Sequence, residues 1–455
     1  MKVIHHGGKN TVTGSCHEFF YSRHHSLLID CGQSQGKDSQ PLAVDFPIHR
    51  ISAVIVTHAH IDHVGRIPWL IAAGYSGPIY CTPATAELLP LMLDDGLKLQ
   101  LGMSKNNRES ILALIRKRTV SIAYGRWHRI SAPSRRLKEL NSNEKPYCYI
   151  RFSPAGHILG SAYVEIKQSN TNVTVFSGDL GVSNTALLPD PIQPQKADYL
   201  FIESTYADRV HEAVDTRAER LKEIINCSLQ NGGTILIPAF SVGRTQELLF
   251  DIEQLIFQSG IDATVPIILD SPMAQKVTQF YRRFKKLWGE EAKAKVRQHR
   301  HPLAFEQCIT IEDFRSHQRL VNRLAKSGEM AIVVAASGMC QGGRIVGYLK
   351  ALLSDPRTDV IFAGYQASDT LGRELQSLPA GASGNKIWIE NEQVEVNAQI
   401  HTLSGYSAHA DKHDLHSFID GIAIKPKQIH LIHGEKQAQR QFAMELREKG
   451  FNVIE

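Results

Sequence analysis

His58-Ala59-His60-Ile61-Asp62-His63 packs three imidazoles and a carboxylate into six residues. Neutral imidazole nitrogen and carboxylate oxygen are ligands for zinc or a similar divalent ion. His58 and His60 lie two apart and can grip one ion. Asp62 and His63 turn past them and can grip a second. A polar loop of solvated histidines is the plain alternative, and four ligand groups in H-x-H-x-D-H order argue against it. Just upstream, the apolar run Ile51-Ser52-Ala53-Val54-Ile55-Val56 reads as a buried strand. Such a strand delivers the cluster at its tip, where a loop can wrap a metal.

Other ligand-type residues follow the same plan. Leu27-Leu28-Ile29 runs into Asp30, Phe176-Ser177-Gly178 into Asp179, and Ser153-Pro154-Ala155-Gly156 into His157. Singly, each would read as a solvated or hydrogen-bonded side chain. Their order and strand-end placement carry the weight. Together the segments resemble the signature motifs of the metallo-β-lactamase fold. The resemblance implies that His157 is a ligand, that Asp179 is a bridging carboxylate, and that Asp30 ends the first motif.

At 455 residues the chain has room for two or three domains. Its 42% apolar and 21% charged content is ordinary for a soluble globular protein. The N-terminus lacks the apolar core of a signal peptide. No run of about 18 apolar residues predicts a membrane span. Seven cysteines stand singly with no C-x-x-C pair, so a reduced, cytoplasmic protein is expected. A net charge of +5 permits an anionic partner without demanding one.

After Ile202-Glu203-Ser204-Thr205-Tyr206 the pattern changes. A charged helical stretch runs to about Leu229. Units of apolar strand, small-residue loop and helix follow, with strands at Thr234–Phe240, Val265–Asp270, Ala331–Ala336 and from Val360. Strand–helix alternation predicts a parallel sheet with helices on its faces, over residues 208–395. Ligand-type residues then return at His409 and, after the strand-like run from Gln428, at His433. The first domain therefore reads as residues 1–207, interrupted by the insert and completed by 396–455.

This layout resembles the β-CASP branch of the metallo-β-lactamase superfamily. The implied fold is an α/β, αββα sandwich interrupted by a parallel-sheet β-CASP domain. The likeness is to compact prokaryotic members related to the cleavage-and-polyadenylation-factor endonuclease and RNase J. It implies a chain without the archaeal KH extension and without the C-terminal domain of RNase J. Motif A matches Glu203, motif B matches His409, and motif C, a His in RNA-processing members, matches His433. One ion would take His58, His60, His157 and Asp179, and the other Asp62, His63, Asp179 and His433. Two ions about 3.5–4 Å apart form a clamp for in-line displacement at phosphorus and lower the pKa of water between them. Asp62, Asp30, Glu203 and His409 are the implied catalytic groups. Asp30 would orient a ligand or the water. His409, left without a metal, would protonate the leaving oxygen. Glu203 would hold His409, and its bland alternative is a helix-capping role before Ser204-Thr205.

Two strand-to-helix loops are candidates for substrate phosphate. Ser337-Gly338-Met339 offers backbone N–H groups, and Ser241-Val242-Gly243-Arg244 offers the Arg244 guanidinium. Such loops are equally common for steric reasons. Two basic stretches could guide nucleic acid. One spans Lys105 to Lys138, with Arg126, Arg129, Arg135 and Arg136 around Trp127 and His128. The other spans Arg282 to His301 and reads more readily as a solvated helix face.

The expected activity is that of a metal-dependent ribonuclease acting endonucleolytically on single-stranded RNA, in RNA processing or decay. The expected cofactors are two divalent ions, zinc ahead of manganese. An insert that caps the metal cleft would admit a flexible strand more easily than a duplex. A homodimer is left open. A small-molecule ester or thioester hydrolase shares H-x-H-x-D-H but needs neither the insert nor His409. A non-catalytic RNA-binding scaffold would have lost ligands, and here all remain. Flavodiiron proteins place a Glu where His60 stands, which argues against iron redox chemistry.

Overall fold

The computed structural model describes residues 2–35, 41–132, 146–168, 172–258, 260–262, 264–364, 366–367, 369–379 and 384–454. Arg135, Arg136 and Lys138 of the first basic stretch lie outside them. The chain forms two compact units. One comprises Met1–Ser183, Leu188–Val210 and His409–Glu455, the other Asn184–Leu187 and His211–Ala408.

The first unit begins with a sheet of β1 (Lys2–Gly7), β2 (Cys16–Phe20), β3 (Ser26–Ile29), β4 (Ile51–Ile55), β5 (Ile79–Cys81) and β6 (Thr119–Ser121), in that order. A second sheet opens with β7 (His128–Ser131), β8 (Tyr147–Pro154), β9 (Ala162–Lys167), β10 (Val173–Phe176) and β11 (Tyr199–Glu203). Side chains alternate between the faces of each strand. Leu27, Ile29, Ala53 and Ile55 therefore meet Ile150, Phe152, Phe176 and Phe201 in a core between the sheets. Leu28, Val54 and Val56 turn the other way, onto Leu89 and Leu93 of the helix Pro83–Leu101. Val175, Leu200 and Ile202 turn outward onto Phe418, Ile419 and Phe442. These layers are the expected αββα sandwich.

The second unit holds β12 (Thr234–Pro238), β13 (Ile267–Asp270), β14 (Cys308–Thr310), β15 (Ala331–Ala335) and β16 (Asp359–Phe362), a hairpin of β17 (Asn385–Ile389) and β18 (Glu392–Val396), and β19 (Gln399–Thr402). Its sheet runs β14-β13-β15-β12-β16-β19, and every pair is parallel. Continuous apolar runs suit such a sheet, because helices bury both of its faces. The unit extends to Ala408 rather than to 395, because β19 pairs with β16 and belongs to this sheet. It also takes in Asn184–Leu187. There the Leu187 carbonyl accepts from Gly289 N at 2.9 Å and the Ala186 carbonyl from Ala292 N at 3.2 Å.

The chain then returns to the first unit with β20 (Gln428–Ile432) and β21 (Val453–Ile454). The second sheet is complete as β21-β20-β11-β10-β9-β8-β7. β20 lies parallel beside β11, with Ile432 opposite Glu203. Parallel neighbours require a crossover, and the whole insert is carried within it. Among the described residues no helix is long and apolar enough to cross a membrane.

Candidate metal centre

Strand ends bring the ligand-type residues together. β3 leads into Asp30, β4 into His58, β8 into His157, β10 into Asp179, β11 ends on Glu203 and β20 leads into His433. One cluster joins His58, His60, His157 and Asp179, a second Asp62, His63 and His433, and a third Asp179, Glu203 and His409.

In the first cluster, His60 Nδ1 lies 3.1 Å from both His58 Nε2 and His157 Nε2. Asp179 Oδ2 lies 3.5 Å from the same two Nε2 atoms. Zinc bonds imidazole nitrogen at about 2.0–2.1 Å, so tetrahedral donors around it sit roughly 3.3 Å apart. The donor spacing fits that geometry. Converging ring nitrogens repel one another unless a cation joins them.

The second cluster points to the same conclusion. His63 Nε2, Asp179 Oδ1 and His433 Nε2 are buried and have no hydrogen-bond partner. Buried polar atoms are rarely left so. Asp179 Oδ1 is 3.2 Å from His63 Nε2, and Asp62 Oδ2 is 3.6 Å from His433 Nε2. Asp179 thus turns one oxygen to each set. The donor set is that of a divalent-metal centre.

A second layer fixes the rings. Asp30 Oδ2 accepts from His63 Nδ1 and from Thr57 Oγ1, both at 2.8 Å, and Asp30 Oδ1 accepts from Thr57 N at 2.8 Å. Thr57 Oγ1 is also 3.1 Å from His58 Nδ1. With Nδ1 engaged, each imidazole presents Nε2 as a lone pair. Thr205 Oγ1 stands 3.2 Å from His433 Nδ1 in the same way. Asp30 adopts the left-handed region, with φ of 59°. Thr57 and Thr205 were not singled out from sequence, although each adjoins a residue that was.

In the protein alone, burial drives His58 well below its ordinary range and so keeps it neutral. Burial works against the charged forms of His63 and Asp179 too, but here the neighbours prevail. The carboxylates of Asp179, Asp30 and Asp62 push His63 well above its usual value. His433 and His63 hold Asp179 well below the usual carboxylate range.

His409 Nδ1 meets Glu203 Oε2 at 3.1 Å. Glu203 Oε1 accepts from Leu180 N at 2.6 Å, and Leu180 O accepts from Ala410 N at 2.8 Å. Glu203 therefore grips His409 rather than capping a helix. Burial disfavours a charged His409, but Glu203 and then Asp179 outweigh it and push the imidazole up to about 9.

The insert residues are placed differently. Ser337 Oγ donates to the Gly342 carbonyl at 3.1 Å. A side chain at Gly338 would strike the Phe240 ring. Arg244 departs from the expected phosphate contact. It is 3% exposed, and its Nη1 donates to Glu247 at 2.8 Å. The same Glu247 oxygen receives Arg217 Nη1 at 3.2 Å, and Arg217 Nε and the Tyr406 hydroxyl both donate to Asp251. Arg244 thus belongs to a buried charge network inside the insert. In the second basic stretch, Lys293 pairs with Glu290, Lys295 with Glu291 and Arg300 with Glu253.

Residues 19–127 match the metallo-beta-lactamase superfamily model, 245–375 the Beta-Casp domain, and 393–454 the Zn-dependent metallo-hydrolase RNA specificity domain. The chain is 35% identical over 442 residues to Ribonuclease TTHA0252 of Thermus thermophilus, covering 96% of this chain and 94% of that protein. It is 29% identical over 457 residues to Transcription termination factor FttA of Methanosarcina mazei, covering 96% and 67%. To FttA of Pyrococcus horikoshii it is 33% identical over 401 residues, covering 85% of this chain and 58% of that longer protein.

Proposed function

The chain belongs to the β-CASP family of metallo-β-lactamase-fold ribonucleases, and from that premise we propose that it cuts single-stranded RNA endonucleolytically with two divalent ions, zinc ahead of manganese. The activity class is metal-dependent ribonuclease. The observation that carries the two-ion reading is Asp179, whose Oδ2 faces His58 and His157 while Oδ1 faces His63. His58, His60 and His157 would hold one ion with Asp179. Asp62, His63 and His433 would hold the other with it. Bound ions supply Lewis-acid charge and a water of lowered pKa.

The remaining work falls to the chain's own groups. Asp30 keeps His63 and, through Thr57, His58 in the ligating tautomer. Glu203 engages His409 Nδ1, which leaves Nε2 to deliver a proton to the departing 3′-oxygen. Leu180 N keeps the Glu203 carboxylate aimed. In the Ser337-Gly338-Met339 loop the Ser337 N–H is taken by the Gly342 carbonyl at 3.3 Å, which leaves the backbone N–H groups of Gly338 and Met339 as our candidates for a substrate phosphate. Seven free cysteines, of which only Cys227 is exposed, support a reducing compartment such as the cytoplasm.

The test is incubation of purified protein with end-labelled single-stranded RNA, the matching RNA duplex, the matching DNA and a thioester, with and without chelator. Internal fragments from single-stranded RNA, abolished by chelator and restored by zinc or manganese, are expected. Thioester turnover without RNA cleavage would replace this reading with a small-molecule hydrolase. Products released only one nucleotide at a time would replace the endonucleolytic mode.

A further inference from the structure

The outward face of β7–β8–β9 is built unlike the rest of the second sheet. Its inward residues, Ile130, Cys148, Ile150, Phe152, Val164 and Ile166, lie in the core between the sheets. On the outward side Arg129 stands opposite Tyr149, Ser131 opposite Tyr147, and Tyr149 opposite Lys167. The outward core under Phe418 and Phe442 takes in Tyr163 of β9 but no residue of β7 or of strand β8. Among the described residues, this edge of the face therefore stays open where aromatic and basic side chains gather.

Those side chains already pair with one another. Arg151 Cζ sits 4.5 Å from the Trp127 ring centroid, and Arg129 Cζ sits 4.2 Å from that of Tyr147. The Tyr147 and Tyr149 rings meet edge-on at 5.7 Å. Trp127 is 40% exposed, a large value for so large a ring. Glu165, the carboxylate on this face, is taken up by Arg151 in two hydrogen bonds of 2.6 and 2.7 Å. Exposed Arg126, Arg129 and Lys167 leave the face positive. Flat rings beside guanidinium groups bind single-stranded nucleic acid without regard to sequence, by base stacking and phosphate attraction.

We propose that this face is an auxiliary platform for single-stranded RNA, holding a flank of the strand whose scissile bond lies at the metal centre. The proposal rests on the ribonuclease reading. β8 itself links the two places: Arg151 is six residues upstream of His157, at most about 20 Å by strand rise. A substrate a few nucleotides longer than the cleft can hold would reach Trp127 first. Tyr149 and Tyr147 lie farther along.

The test compares wild type with the double variant Trp127→Ala/Arg129→Ala, both surface changes, on RNAs of about 5 and about 25 nucleotides. Binding is read by fluorescence anisotropy in chelator, so that the strand survives, and cleavage by KM and kcat with metal restored. For the long RNA, Kd and KM should rise about tenfold with kcat unchanged, the short RNA should shift less than about twofold, and Trp127→Phe should recover most of the loss. The salt dependence of long-RNA binding should flatten by the missing Arg129 contact. Equal effects at both lengths, or none, would overturn the platform, as would a changed oligomeric mass, which would assign the face to contact between copies. If wild type cuts no RNA yet binds the long strand through Trp127, the ribonuclease reading falls and the platform stands. If wild type cuts RNA and the variant matches it at both lengths, the platform alone falls.

Discussion

Asp30 and His63 are joined by a 2.8 Å hydrogen bond in which the imidazole Nδ1 donates to a carboxylate that also holds Thr57. One buried side chain thereby orients a candidate ligand from each of the two donor sets, His63 directly and His58 through the Thr57 hydroxyl. Asp30→Ala should lower zinc affinity roughly 10–100-fold, as loss of such a partner does elsewhere. Titration of the metal-free variant with zinc, followed by calorimetry, measures it. Affinity like that of wild type would reduce Asp30 to a fold-holding role.

Asp179→Ala should remove the shared oxygen pair and leave both donor sets short of a ligand. The expected result is loss of most bound metal, by elemental analysis, together with loss of RNA cleavage. Near-normal cleavage in a metal-depleted sample would end the two-ion reading.

His409→Ala should behave differently. Cleavage should fall by about 10²–10⁴, the usual penalty for a missing proton donor, while metal content stays near normal. Glu203→Gln should follow in the same direction. Loss of one ion from His409→Ala would make it a ligand instead.

The His409–Glu203 pair also sets a pH dependence in metal-free protein. Folding lifts the His409 imidazole from 6.5 to about 9. A raised pKa means the folded state binds the proton more tightly. That contribution is complete below pH 6.5 and is lost as pH climbs through about 9. The melting temperature of chelated wild type should therefore fall across this window more than that of His409→Gln. Parallel curves for the two proteins would remove the pair from the stability balance.

Arg217 lies 2% exposed between Glu247 and Asp251, at 3.2 and 3.1 Å. Arg217→Met leaves Glu247 to Arg244 and Asp251 to the Tyr406 hydroxyl alone, and breaking a buried pair of this kind typically destabilises by about 3–5 kcal/mol. Urea unfolding should show that loss. A change below about 1 kcal/mol would mean the network is solvated in solution.

The candidate ligands were readable because they follow strand ends, and strand ends are written in local apolar runs. Ile51-Ser52-Ala53-Val54-Ile55 needs no partner to announce a buried strand, and the ligand run His58 to His63 follows it directly. The parallel sheet of the insert was legible for the same reason. What escaped depends on contacts between distant segments. Nothing around Gln399–Thr402 reveals that it will pair with β16, so the insert appeared to end too early. Arg244 has the sequence surroundings of an anion-binding loop; its partner Glu247 is only three positions along the same helix, and it is the burial of the pair beside Arg217, 27 positions upstream (244 − 217), that the local sequence does not reveal. Thr57 acquires its role from Asp30, which lies 27 positions upstream.

Glu203 and Ile432 face one another across β11 and β20, although 229 positions separate them (432 − 203). A ribosome making this chain completes the first donor set at Asp179 and then builds an entire second unit before His433 appears. Pairing so remote in sequence is slow to form. The growing polypeptide should thus spend most of its synthesis as a protein that can gather metal but cannot complete the second donor set. On the two-ion reading, acquisition of the second ion should mark the end of folding rather than its beginning. Stopped-flow refolding with a zinc-sensitive dye should show two uptake phases, the slower one absent in His433→Ala. A single fast phase in wild type would mean that both sets assemble before the sheet closes.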